Sequence, residues 1–194
     1  MKKQILILSV AMIAAISACG QEKNGRNGYK ESPFVKTETT HSSTVTSEHS
    51  SATIKEIINH YLELKNALVA DNSKQAAEAG KALEIAFKGF DKSSISAEQK
   101  KNYEDIEDDA REHAEHIGAN AGKIDHQREH FDMLSKDMYD LVKAFGAGQL
   151  LYKDNCPMYN DGKGAIWLSE SRNIKNPYYG KKMLTCGSLK EEIK

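Results

Sequence analysis

Between Thr53 and Gly148, apolar side chains recur at spacings of three and four in four runs separated by short polar connectors. That period places each run on one face of a helix, and a one-faced helix must bury its stripe against a partner. The first stripe is Ile54, Ile57, Ile58, Tyr61, Leu62 and Leu68, and the second, over about 73–90, is Ala76, Ala79, Leu83, Phe87 and Phe90. Tyr103, Ile106, Ala110, His113 and Ile117 form the third, and Ile124, Phe131, Leu134, Met138, Leu141 and Phe145 the fourth. Thr53 with Glu56 and Ser96 with Gln99 have the capping-box spacing, in which a hydroxyl and a side chain three residues on satisfy free backbone N–H groups. Gly146 and Gly148 supply the C-terminal stop. Short links between four amphipathic helices predict an all-α fold, an antiparallel four-helix up-down bundle.

The chain from about 149 to 194 reads differently. Leu150-Leu151-Tyr152 and Ala165-Ile166-Trp167-Leu168 are short β-prone runs flanking the turn sequence Asn160-Asp161-Gly162-Lys163-Gly164. Asn176-Pro177-Tyr178-Tyr179-Gly180 is a second turn. A small C-terminal hairpin-and-loop cap on the bundle is expected. The Asp161 turn lacks the acidic positions of a calcium loop, since Pro157 and Tyr159 stand where they should be.

Upstream, Lys2-Lys3 precedes an apolar run from Ile5 to Ile16, too short to span a bilayer, and Ile16-Ser17-Ala18-Cys19 resembles a bacterial lipobox. Residues 1–18 are therefore expected to be a lipoprotein signal peptide, with Cys19 lipidated. Residues 19–51 are polar, without apolar period, and suit a flexible tether in which His41 and His49 are solvated. The bundle domain is expected over 52–194. Its product would be a lipid-anchored protein of the cell envelope, periplasmic or associated with the outer membrane. A net charge of -1 and a pI near 6.7 leave no basic footprint for nucleic acid.

Chemistry concentrates in sulfur. Cys156-Pro157-Met158 is answered by Met183-Leu184-Thr185-Cys186, and the one other cysteine is Cys19. Two thiols and two thioethers are the donor set that soft Cu(I) prefers. In an oxidising compartment the same cysteines can instead pair as a disulfide, and spacing alone does not separate the two readings. Two buried free thiols are a third. Zinc ranks below copper, because methionine is a poor zinc ligand and the shell would need His126 or His130.

His126 and His130 stand four apart on the fourth helix and so project from one stripe, which Met133 continues. They are second-tier ligand candidates should the cap fold onto that helix. Their charged neighbours fit a solvated edge as well. His113 falls on the third apolar stripe and reads as a hydrogen-bonded interior residue, while His116 lies off it and His60 gives no signal. Met158 and Met183 are also ordinary gap fillers by type; their proximity to cysteines sets them apart. No phosphate loop, His-Glu-x-x-His helix or nucleophile elbow occurs, and no Glu-x-x-His pair suggests a di-iron bundle. The sequence gives no reason to expect an enzyme.

Several stretches together carry a resemblance: 61–71 (Tyr61 to Asp71), Gln127-Arg128-Glu129-His130-Phe131, Leu134-Ser135, Cys156-Pro157-Met158, Trp167-Leu168-Ser169, Asn176-Pro177-Tyr178-Tyr179-Gly180 and Met183-Leu184-Thr185-Cys186-Gly187. With these the chain resembles a domain-of-unknown-function family of bacterial envelope lipoproteins, also found fused to periplasmic adaptors of copper and silver efflux systems of the RND type. The resemblance implies envelope metal handling, copper first. The chain lacks the adaptor's barrel and hairpin segments and would be a stand-alone form. The resulting expectation is a Cu(I) chaperone or buffer with Cys156 and Cys186 as thiolate ligands, Met158 and Met183 as thioethers, and an efflux component as partner. The competing expectation is a disulfide-stapled helical interaction module that binds no metal.

Overall fold

The computed structural model describes the backbone from residue 43 to 194 and side chains from Ile54 onward. Cys19, the 1–18 signal, His41, and the side chains of His49 and Thr53 lie outside the described residues.

Four helices follow in order: α1 (Ser43–Val69), α2 (Ser73–Lys88), α3 (Ala97–Ala119) and α4 (Ile124–Phe145). Each predicted stripe marks a packed face. All six positions named on α1 and all five on the second stripe are buried, as are Tyr103, Ala110, Ile117, Phe131, Leu134, Met138 and Leu141. The second start signal acts as expected: Ser96 Oγ accepts from the Gln99 N–H, and the Gln99 side chain accepts from the Ser96 N–H. Helix α1, in contrast, begins at Ser43, so Thr53 lies inside it rather than at its cap. Asn72 caps α2 through its side chain, and Gly146 closes α4 at φ 81°. Tight approach is built in between α2 and α3, where a Cβ on Gly80 would come within 2.9 Å of the Ala114 carbonyl oxygen.

The fold is not purely all-α. The C-terminal region forms a three-stranded antiparallel sheet, β1 (Leu151–Cys156), β2 (Ala165–Ser169) and β3 (Ser188–Ile193), in the order β2-β1-β3. The expected hairpin is β1–β2, with Asp154 opposite Trp167 and Cys156 opposite Ala165. Its turn places Asn160 and Asp161 at positive φ. The third strand corrects the sequence-based class. Ser188–Ile193 alternates exposed and half-buried positions and buries only Ile193, which is the pattern of an edge strand that presents charge to solvent.

The sheet is seated on the bundle through polar contacts as well as apolar ones. Tyr61 Oη on α1 accepts from the Leu168 N–H at 3.0 Å and shares a 2.8 Å hydrogen bond with Ser135 Oγ of α4. Its ring stacks on Phe131 at 5.3 Å, and Phe131 leads on to Tyr178 and Trp167. Arg128 ties the same region to the α1–α2 corner. Its Nε donates to the Pro177 carbonyl at 2.8 Å, and Nη2 donates to the Leu68 carbonyl and to Asp71 Oδ1. The chain must pass this ion pair at Gly180, at φ +53°, where a Cβ would lie 2.0 Å from Asp71 Oδ1. Only glycine has the space and the backbone freedom there.

Candidate functional site

Cys156 ends β1 and is fully buried; Cys186 lies in the loop before β3 and is half-buried. Their Sγ atoms are 3.6 Å apart and both thiols are free. Asn176 builds this proximity. Buried itself, it donates from Nδ2 to the Cys186 carbonyl at 2.7 Å, while its Oδ1 accepts from the Tyr178 and Tyr179 N–H groups. The Asn-Pro-Tyr-Tyr-Gly turn thus folds the Met183–Cys186 segment back onto the end of β1. Gly187, at φ +147°, lets Trp167 approach next to Cys186, since a Cβ there would sit 2.8 Å from the indole. Burial, followed by the neighbouring Cys156, raises the Cys186 thiol above its ordinary range. Proximity to both sulfurs adds to burial in pushing the Tyr179 hydroxyl up.

The two methionines of the expected donor set are placed differently from the thiols. Met158 is 51% exposed, and its carbonyl accepts from Tyr179 Oη. It lines a groove of about 620 Å³ together with Met133, Asp132 and Glu129 from α4, and Tyr159 and Tyr179 from the cap. Met183 is half-buried, and its carbonyl accepts from the Cys186 N–H at 3.0 Å. The structure therefore brings the thiols together and sets Met158 on the adjoining groove wall.

A second cluster joins α3 to α4. The cap does fold onto α4, and there His126 and His130 lie in a cluster with His113 and His116 of α3. His113 Nδ1 lies 3.3 Å from His130 Nδ1. The His130 ring stacks on His116 at 4.4 Å and meets His126 edge-on at 4.7 Å. One ligand atom from each of His116, His126 and His130 falls within 4.8 Å of the others. Carboxylates surround the group: Glu129 Oε2 is 3.1 Å from His126 Nδ1, Glu112 is 3.8 Å from His116 Nε2, and Asp137 is 4.0 Å from His113 Nε2.

Burial, with the positive potential of His116, His126 and His113, lowers His130 to about 4. Burial likewise lowers His113. Asp137 is raised to about 6 by burial and by Asp109 and Asp140. The sequence reading missed His113 and His116 as partners. A signal was available, because the two pairs stand at nearly equal distances on either side of the turn at Asn120–Lys123, the arrangement an antiparallel helix hairpin brings into register.

Fold and sites together define a four-helix domain with an appended β-sheet, offering a thiol pair on the sheet and an imidazole cluster on the helices. Residues 57–149 match the model of a family described as a protein of unknown function, DUF3347. The match ends before β1; it takes in all four clustered histidines and leaves both thiols outside. No curated protein and no solved structure matches the chain. Among the described residues, no helix is long and apolar enough to cross a membrane.

Proposed function

We propose that this protein is a lipid-anchored envelope protein that binds a soft metal ion, Cu(I) first, as a chaperone or buffer serving metal efflux or resistance. The observation that carries the reading is the 3.6 Å separation of the Cys156 and Cys186 sulfurs. An ion about 2.3 Å from each, the length of a metal–thiolate bond, subtends about 100° between them, an angle that needs no backbone movement. Soft thiolates favour Cu(I) over harder ions. Met158 on the exposed groove wall and Met183 beside Cys186 are the thioethers available to an arriving or departing ion. Transfer proceeds by ligand exchange, an incoming sulfur binding before an outgoing one leaves. Anchoring rests on the sequence alone, through the Lys2-Lys3 start, the apolar run and Cys19. An efflux component as partner rests on the family resemblance.

The same contact favours one other reading. Oxidised, Cys156 and Cys186 form a disulfide, which would contribute about 3–4 kcal/mol by restricting the unfolded chain; the protein would then be a stapled interaction module. Copper K-edge absorption on the reduced, Cu(I)-loaded full chain tests the proposal. A sulfur-only shell that disappears in C156S/C186S is expected. A shell of nitrogen and oxygen donors unchanged by that variant would defeat it.

A further inference from the structure

Four imidazoles in contact at a helix–helix seam need a reason. They bury little apolar surface, and as bases they repel one another whenever more than one is protonated. His113 and His116, three apart on α3, face His126 and His130, four apart on α4, so the four rings meet across the seam. Two nitrogens bound to one tetrahedral ion at 2.0–2.1 Å lie about 3.3 Å apart. His113 Nδ1 and His130 Nδ1 already stand at 3.3 Å. One nitrogen from each of His116, His126 and His130 lies within 4.8 Å of the others, and His116 is exposed and free to rotate closer.

The surroundings fit the same purpose. Metal-bound imidazoles characteristically give their second ring N–H to a carboxylate, which fixes the tautomer and the ring orientation. With Nδ1 of His113 turned to the cluster, its Nε2 faces Asp137, whose Oδ2 is buried and has no hydrogen-bond partner among the described residues. Glu129 holds His126 in the same way, through Nδ1.

We infer that His116, His126 and His130, with His113 packed against His130, form a second metal site, for a divalent ion of the Zn(II) or Cu(II) class, built across the α3–α4 seam and separate from the thiol pair. Neutral imidazole suits these borderline ions, whereas thiolate suits softer ones. The site lies inside the DUF3347 match and does not depend on the thiols.

The test is a Zn(II) competition titration of the full chain against a chromophoric chelator, in parent, H116A/H126A and C156S/C186S forms. Both substituted histidines are partly or fully exposed and outside the core, so the variant keeps its fold, verified by its far-UV dichroism and metal-free melting temperature. The expected result is one tight equivalent in the parent, retained in C156S/C186S and weakened at least about tenfold in H116A/H126A. Co(II) substituted into the parent should show no intense thiolate charge-transfer band. Absence of binding by the parent, a smaller loss in H116A/H126A, or loss in C156S/C186S would overturn the inference, while the Cu(I) reading of the thiols would stand or fall on its own measurement.

Discussion

Asp154→Asn should stabilise this protein, and do so only when the pH is above the acid range. Asp154 sits in the middle of β1, fully buried, and neither carboxylate oxygen has a hydrogen-bond partner among the described residues. Burial raises its pKa from 3.8 to about 6, and the charge of Lys65 offsets only part of that. The folded state thus holds the proton more tightly than the unfolded chain does. Native stability therefore falls as pH rises from the ordinary carboxylate range through about 6, and the whole penalty stands above that. A shift of this size corresponds to about 3 kcal/mol between the two limits. Asparagine has nearly the same shape and a similar cost of burying an unbonded polar group, but no charge. Its advantage over the parent should therefore grow by about 2 kcal/mol between pH 4 and pH 7, or about 4–8 °C in melting temperature. Urea unfolding of both proteins at half-unit pH intervals measures this directly, and groups that titrate in both proteins cancel in the difference. An advantage that does not change with pH, or a parent more stable than the variant at pH 7, would show that Asp154 is ionised and well solvated in the native state.

Three further substitutions probe the packing that positions the sites. Tyr61→Phe removes the hydroxyl that accepts from Leu168 and pairs with Ser135, and should cost about 1–3 kcal/mol in chemical denaturation by leaving a buried N–H without its partner; a neutral result would remove this link between α1 and the sheet. Gly80→Ala brings a Cβ to 2.9 Å from the Ala114 carbonyl and 3.0 Å from the Gly118 nitrogen, so α2 and α3 must separate. Loss of about 1–3 kcal/mol is expected, and an unchanged melting temperature would mean that the seam is looser than described. Arg128→Ala strips the Pro177 and Leu68 carbonyls and Asp71 of their shared donor, and should destabilise by about 3–5 kcal/mol while speeding proteolysis of the Asn176–Lys182 loop; equal cleavage rates in parent and variant would contradict that anchoring role.

What could be read from the sequence followed the strength of periodicity. The α1 and second stripes stand out because every apolar position named on them is buried, and Ser96–Gln99 was legible because its capping chemistry is local. Residue β3 strand character was hidden: Lys190, Glu191 and Glu192 interrupt any apolar alternation, and its pairing to β1 is set by a partner more than thirty residues earlier, with a register shift at Lys153/Asp154. The start of α1 at Ser43 was equally hidden, since Thr53 and Glu56 have capping spacing without acting as a cap. Proximity of Cys156 and Cys186 was anticipated from matched motifs, but the agent that secures it, the Asn176 side chain, carries no periodic signal. The histidine cluster was only half legible for a different reason. His126 and His130 are candidates by their spacing, but His113 reads as an interior residue and His116 as lying off the stripe, and the four come together only when the Asn120–Lys123 turn folds α3 onto α4.

The thiol pair is the centre of the functional account, and an anaerobic Cu(I) competition titration of the fully reduced full chain against a chromophoric chelator tests it most directly. One tightly held equivalent, lost when Cys156 or Cys186 is replaced by serine, is the predicted result. Binding no stronger than that of C156S/C186S would contradict copper handling and leave the two cysteines as a structural staple.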